Sequence, residues 1–493
     1  MFFNSSEFLI FLPIVFLLYW FVFDRFISKS KWKLRLQNAF ILVASYVFYG
    51  WWDWRFLMLV AFTSLCSYFS GLLMEKFEGQ EKKQRSVSAA NIVINLGILG
   101  VFKYFNFFVD SLKAILSLFG MQPDWTTVNI ILPVGISFYT FQALSYSIDV
   151  YKKKLSATHD IIEFFAYISF FPQLVAGPIE RATNLLPQFQ RERKFDYNKA
   201  VDGCRQMLWG FFKKIVVADT CAETVNLYWT GSEFANLPGL NLILLAVLFT
   251  FQSYCDFSGY SDIAIGCARL FGFNLMRNFD NPYFARNVPE FWRRWHISLT
   301  TWFRDYLYFP LGGSRCSKWK TIRNIFIVWG VCGLWHGAAW TFVLWGLTHA
   351  VLLVASNLLG FNKKHDKIVA YGRMFPTFRE LRQMVLTYLI LLLPIFFFRS
   401  ESVGQAFDYI EAIVKNRFFD PALMIVGKKG LAFGIILLCI EWMQRDKQHA
   451  LQFLDIKPFC WRWLRWAVYI IIILMIVLYS DPYFSQEFIY FQF

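Results

Sequence analysis

The sequence predicts an all-α integral membrane protein with about 11–12 transmembrane helices, plus re-entrant and interfacial helices, with both termini outside. Three observations carry that prediction. Of the 493 residues, 57% are hydrophobic, 20% aromatic and only 17% charged, far from the soluble average, and the mean hydropathy is +0.41. Apolar runs of roughly 20 residues, the length that crosses the hydrocarbon core as a helix, recur along the whole chain. Lys and Arg collect between those runs, as the positive-inside rule requires.

The opening MFFNSSEFLIFLPIVFLLYWFVF has no basic residue before its apolar stretch and no small-residue cleavage pattern after it. It reads as the first span rather than a cleavable signal peptide. The basic cluster DRFISKSKWKLR then places the N-terminus outside. Spans at about 37–51, 56–74 and 89–109 follow, and PVGISFYTFQALSYSIDVY descends to Lys152, Lys153 and Lys154. The next apolar run, IIEFFAYISFFPQLVAGP, has basic residues on both flanks. It is therefore expected to be re-entrant or interfacial, with irregular backbone at Pro172 and Gly177 buried in protein.

Spans at about 201–220 and 241–271 lead into a long basic stretch. Within it, NVPEFWRRWHISLTTWFRDYLYFPLGG is too charged to cross lipid, yet carries Trp292, Trp295, Trp302, Phe303 and Tyr306 at near-helical spacing. An amphipathic interfacial helix is expected there. From Ile325 to Leu359 the chain is apolar for longer than one span needs, which predicts a helical hairpin breaking near WHGAAW. Spans at about 383–398, 422–441 and 464–480 complete the chain, leaving DPYFSQEFIYFQF outside.

The formal charge of +15, from 49 basic against 34 acidic residues, would suggest nucleic acid in a soluble protein. Here the basic residues lie in loops, which points to topology and membrane phospholipid instead. The nine cysteines show no CxxC pair, and no metal site is expected. HExxH, a G-x-S-x-G elbow and a Walker sequence are all absent, which removes support for hydrolase and ATPase readings.

His336 stands in VCGLWHGAAWTFVLWGLTHA, a segment otherwise without charge, and an ionisable residue at such depth is a functional candidate. Burial there favours the neutral ring, which can take a proton from a hydroxyl. Gly333 and Gly337 would allow close approach of a backbone or a thin acyl chain. The competing reading is a packing histidine bonded to a carbonyl. His296 in FWRRWHISL faces either a cavity or the headgroups. Arg293, Arg294 and Arg304 suit the phosphates of a nucleotide-linked donor, or lipid phosphates. His159, His349, His365 and His449 read as structural or solvated. Asp149, Asp256 and Asp262 keep a transporter or channel as an alternative.

Taken together, SYVFYGWWDWRF, FKYFNFF, FFPQLVAGPIER, FQSYCDFSGYSDIAIG, NFDNPYF, FWRRWHISLTTWFRDYLYFPLGG, GLWHGAAWTFVLWG and the terminal FIYFQF resemble the membrane-bound O-acyltransferase (MBOAT) family. The resemblance is to its bacterial branch of alginate O-acetyltransferase and teichoic acid D-alanyl transfer proteins. It implies one MBOAT domain over 1–493, with the catalytic core at 131–350 and an extracytoplasmic aromatic tail at 480–493, around a central funnel in the cell (cytoplasmic/inner) membrane.

It further implies that His336 matches the family's essential histidine and His296 its second polar position, which is asparagine in other branches. The implied chemistry is acyl transfer from a thioester to an alcohol, with no bound cofactor and acetyl-CoA as donor. His336 would be the general base, and His296 would orient the donor or stabilise the oxyanion. A D-alanyl group from a carrier protein, passed to teichoic acid, is the alternative. A separate extracytoplasmic polysaccharide acetyltransferase is the implied partner. The tail tyrosine, Tyr490, is either an acyl relay or an interfacial aromatic anchor, and Cys332, four residues before His336, is a second candidate relay.

Overall fold

The computed structural model describes residues 1–489 apart from 28–29, 122, 124, 126–129, 176, 232, 366, 422–424, 456–458 and 481–487. Among the described residues there are helices and no strands. Seven helical stretches among the described residues are long and apolar enough to cross a membrane: Ser6–Ile27, Lys33–Lys76, Glu81–Leu118, Gly239–Leu270, Trp340–Leu358, Phe378–Arg399 and Arg462–Tyr479. Lys33–Lys76 has 44 residues, about twice what one crossing needs. It turns at Trp54–Phe56 into two helices, Lys33–Asp53 and Leu57–Lys76.

The chain forms two compact units, Met1–Gly203 with Ala264–Met276, and Cys204–Ile263 with Arg277–Phe493. In the first, helix Ile136–Tyr151 is buried on nearly every side, as a helix at the centre of a bundle must be. The expected re-entrant segment is two short helices, Ile161–Ile168 and Phe171–Leu174. The backbone groups freed at their break find side chains. Gln142 donates to the Tyr167 carbonyl at 2.7 Å, and the Phe171 amide donates to Ser45 Oγ at 3.1 Å. That is how irregular backbone survives away from water.

In the second unit, the sequence suggested one amphipathic helix from Val288 onward. The structure breaks it into Val288–Arg294 and Ile297–Phe303. His296, at φ 43°, takes the left-handed conformation between them. Asn278 repairs the break, its carbonyl accepting from the Ile297 amide at 2.9 Å, while the Arg294 carbonyl accepts from the Asp280 amide at 2.9 Å. Trp292, Trp302, Phe303 and Tyr306 are buried among protein rather than laid along a surface.

The hairpin is present as helices Lys318–His336 and Trp340–Leu358, with the break at 337–339. Glycine fixes how closely its arms pack. A Cβ on Gly346 would lie 2.1 Å from the Trp329 carbonyl oxygen, and one on Gly333 would lie 2.2 Å from that of Phe342. The small residues admit a neighbouring backbone, and at Gly337 the ring of Phe342, rather than an acyl chain.

Buried lysines in this unit are paired. Lys213 pairs with Asp262 at 2.6 Å, and Lys214 sits 2.9 Å from both Asp219 and Asp256. Of the intramembrane carboxylates that kept a transporter in view, Asp256 and Asp262 are thus partners of buried lysines, the arrangement that makes such charges tolerable in a bilayer, whereas Asp149 faces the exposed Lys154 at 3.9 Å.

Candidate active site

His336 is the last residue of its helix, where the chain leaves the helical path for Gly337. It is 3% exposed, and aromatic rings hold it. Ring centroids lie 4.7 Å away at Trp345, 5.1 Å at Trp335 and 5.7 Å at Phe398. It lines a narrow, mostly apolar cavity of about 60 Å³ together with Ser253, Phe257, Trp295, His349, Tyr388 and Ile489, among others. Such a space is large enough for a few small groups or waters.

The hydroxyls around the cavity divide into engaged and available. Thr250 donates to the Val247 carbonyl at 2.7 Å, so Tyr388, 2.7 Å from the Thr250 hydroxyl, donates to it. Tyr283 donates to the Thr250 carbonyl at 2.6 Å. Ser253 Oγ is buried with no hydrogen-bond partner among the described residues, so its proton can turn toward whatever enters.

His349 was expected to be structural or solvated. It is buried, lines the same cavity as His336, and shares Trp345 with it, at 4.8 Å. Its Nδ1 has no hydrogen-bond partner among the described residues. Cys332 is buried but is not among the residues that line the cavity.

His296 lies behind the cavity wall. Its ring meets Phe257 edge-on at 4.6 Å and Trp335 at 5.9 Å. Asn278, which the sequence reading did not single out, fixes its chemistry. Asn278 Oδ1 accepts from the Ser298 amide at 3.2 Å and the Ser298 hydroxyl at 2.9 Å, while its Nδ2 donates to Ser261 Oγ at 3.1 Å. The amide orientation is thereby set, so His296 Nδ1, 3.2 Å from that oxygen, carries the proton and Nε2 the lone pair. Burial holds the His296 imidazole far below the ordinary histidine range, at about 3, and the ring is neutral at physiological pH.

The three arginines singled out from sequence go to separate places. Arg294 pairs with Glu290 at 3.0 Å and Asp280 at 3.3 Å, Arg304 pairs with Asp305 at 2.7 Å, and Arg293 is exposed. A different basic group gathers instead around a second cavity of about 870 Å³, lined by Arg286, Lys363, His365, Arg379 and Arg382. The acidic residue there, Glu380, is engaged by Arg373 and by the Thr377 capping box. Both cavities are built on helices Trp340–Leu358 and Phe378–Arg399. Tyr490 lies outside the described residues. Among the described residues no cluster of His, Cys, Asp or Glu could hold a metal ion.

Comparison with known proteins settles the family. Residues 9–393 match the family described as MBOAT, membrane-bound O-acyltransferase. The chain belongs to the membrane-bound O-acyltransferase family. It is 40% identical over 414 residues to a probable alginate O-acetylase, AlgI, of Pseudomonas aeruginosa, covering 84% of this chain and 75% of that one. The peptidoglycan O-acetyltransferase of Helicobacter pylori is 30% identical over 441 residues, covering 84% and 79%. The teichoic acid D-alanyltransferase of Bacillus subtilis is 30% identical over 261 residues, covering 50% and 64%. This membrane-bound O-acyltransferase is a multi-pass membrane protein. The motifs from FQSYCDFSGYSDIAIG to GLWHGAAWTFVLWG supply Ser253, Phe257, Asn278, His296 and His336, whereas the basic residues of the second cavity come from loops and the first turns of helix Phe378–Arg399, outside those motifs.

Proposed function

We propose that this O-acyltransferase moves acetyl from cytoplasmic acetyl-CoA to a hydroxyl destined for a cell-surface or exported polysaccharide, with His336 as general base. The observation that carries the reading is the position of His336 in a small, mostly apolar cavity, in a chain 40% identical to an alginate O-acetylase over most of its length. The enzyme sits in the cytoplasmic (inner) membrane with both termini outside. In this reading the two cavities belong to one funnel, whose wide basic part takes the donor phosphates and whose narrow part takes the thioester. A separate extracytoplasmic transferase then delivers the group to the polymer.

His336 removes the acceptor proton as the oxygen attacks the thioester carbonyl, and returns it as the thiolate leaves. Ser253, with its uncommitted hydroxyl, suits the developing oxyanion. The neutral His296 suits it poorly, because the Nδ1 proton is directed to Asn278 and Nε2 can only accept. His296 is better read as an acceptor that orients a donor group, or as a brace for the wall. Tyr490, two residues beyond the buried Phe488, is the candidate acyl relay. Tyr490→Phe with full acetylation would remove that role.

Labelled acetyl-CoA given to membranes that carry the protein, beside a preparation offered an acylated carrier domain, tests the donor. Label entering from acetyl-CoA supports the reading. Label entering only from the carrier domain replaces it with D-alanyl or other carrier-dependent transfer.

A further inference from the structure

Asp256 has more to do than balance charge. Lys214 already has Asp219 at 2.9 Å, so one ammonium is shared by two carboxylates in an apolar setting. Asp256 is 3% exposed and Lys214 1%. Asp256 has a second partner. Asp256 Oδ1 faces Lys214 at 2.9 Å, and Oδ2 accepts from the backbone amide of Ile489 at 2.7 Å, a charge-assisted bond of the strong kind.

The two residues that meet at that amide are buried as deeply as the core. Phe488 is 1% exposed and Ile489 2%. The Phe488 ring lies 4.5 Å from Tyr260 and 5.6 Å from Phe257. Phe257 is the residue that meets His296 edge-on, and Ile489 itself lines the His336 cavity. We infer that the Lys214–Asp256 pair is a positioning device that docks Phe488 and Ile489 as one wall of the His336 cavity and braces His296 through Phe257.

Residue-resolved hydrogen exchange on the full chain in lipid nanodiscs tests the docking, with acetyl transfer measured beside it. The second readout rests on the proposed acetyl-CoA reaction; the exchange does not, so failure of that reaction leaves the inference decidable. In Asp256→Ala the Ile489 amide should exchange about tenfold faster or more, while helix Gly239–Leu270 keeps its protection. kcat should fall about tenfold or more with donor KM little changed, as expected when a wall shifts by a fraction of an ångström. Asp256→Asn retains an oxygen to accept from Ile489 and should recover most of both. If Asp256→Ala does not fold, Ile489→Pro removes the donor and leaves the ion pair in place, and should lower kcat likewise. An Ile489 amide as protected in Asp256→Ala as in the wild type would overturn the inference. So would exchange spreading equally through helix Gly239–Leu270, or an Ile489→Pro variant with wild-type kcat.

Discussion

Asn278 Oδ1 and His296 Nδ1 stand 3.2 Å apart, and the same oxygen takes two further hydrogen bonds from Ser298. One residue thus fixes the tautomer of a buried histidine through its side chain, repairs a helix break through its backbone, and ties both to Ser261. The left-handed backbone at His296 is tolerable because histidine and asparagine are enriched there among residues other than glycine.

The depressed His296 pKa has a consequence for stability. An unfolded histidine binds a proton below its ordinary value near 6.5, while the folded ring stays neutral down to about 3. The unfolded state therefore holds more protons across that window, and stability from this residue is lost as pH falls through it, by up to about 1.4 kcal/mol per pH unit. Thermal unfolding at pH 7.5 and pH 5 should show a smaller acid loss in His296→Asn than in wild type, because asparagine keeps the left-handed backbone without titrating. An equal loss in both would remove His296 as its source.

Arg379 and Arg382 are expected to act on donor binding alone. Charge reversal at either should raise KM for acetyl-CoA about tenfold with kcat little changed, and the effect should shrink at high salt, since both side chains are exposed. The same reversal at Arg304, which is paired with Asp305, should leave KM within about twofold. Steady-state kinetics in detergent or nanodiscs at two salt concentrations make the comparison.

Ser253→Ala removes one hydroxyl from the cavity and should lower kcat about 100-fold, with donor affinity retained, if that hydroxyl meets the oxyanion. A single-turnover measurement separates this from slow product release. A kcat within about twofold of wild type would move the oxyanion role elsewhere.

Much of this was legible in sequence. The hairpin could be read because its apolar length exceeds one span and its break is written as WHGAAW; His336 stood out because nothing else near it carries charge. His296 was visible, but its left-handed break was not, since the bonds that compensate come from Asn278, eighteen residues earlier. Asp262 kept a transporter in view because its partner Lys213 lies far away in the chain and only folding pairs them. The basic cavity was hidden for a different reason. Arg286, Lys363, Arg379 and Arg382 come from three separate loops and helix ends, and loop cations in a membrane protein read first as topology. His349 looked like one more packing histidine because only the crossing of the two arms brings it to the same cavity.

Gly346→Ala should be among the most damaging small substitutions in the chain. Its Cβ would overlap the Trp329 carbonyl, and both Trp345 and His336 depend on that crossing. Overpacking of this kind costs about 1–3 kcal/mol, so a lowered thermal midpoint and reduced transfer should appear together. Gly360→Ala, where nothing lies within 4 Å, is the control in open space, with only the strain of its positive φ to bear.

The most direct measurement is acetyl transfer from labelled acetyl-CoA by wild type and His336→Ala, at matched expression and with matched thermal midpoints. Loss of about 10²- to 10⁴-fold in kcat with the fold intact is the predicted result. Transfer within about threefold of wild type would contradict a proton-transfer role for His336 and leave it a packing residue.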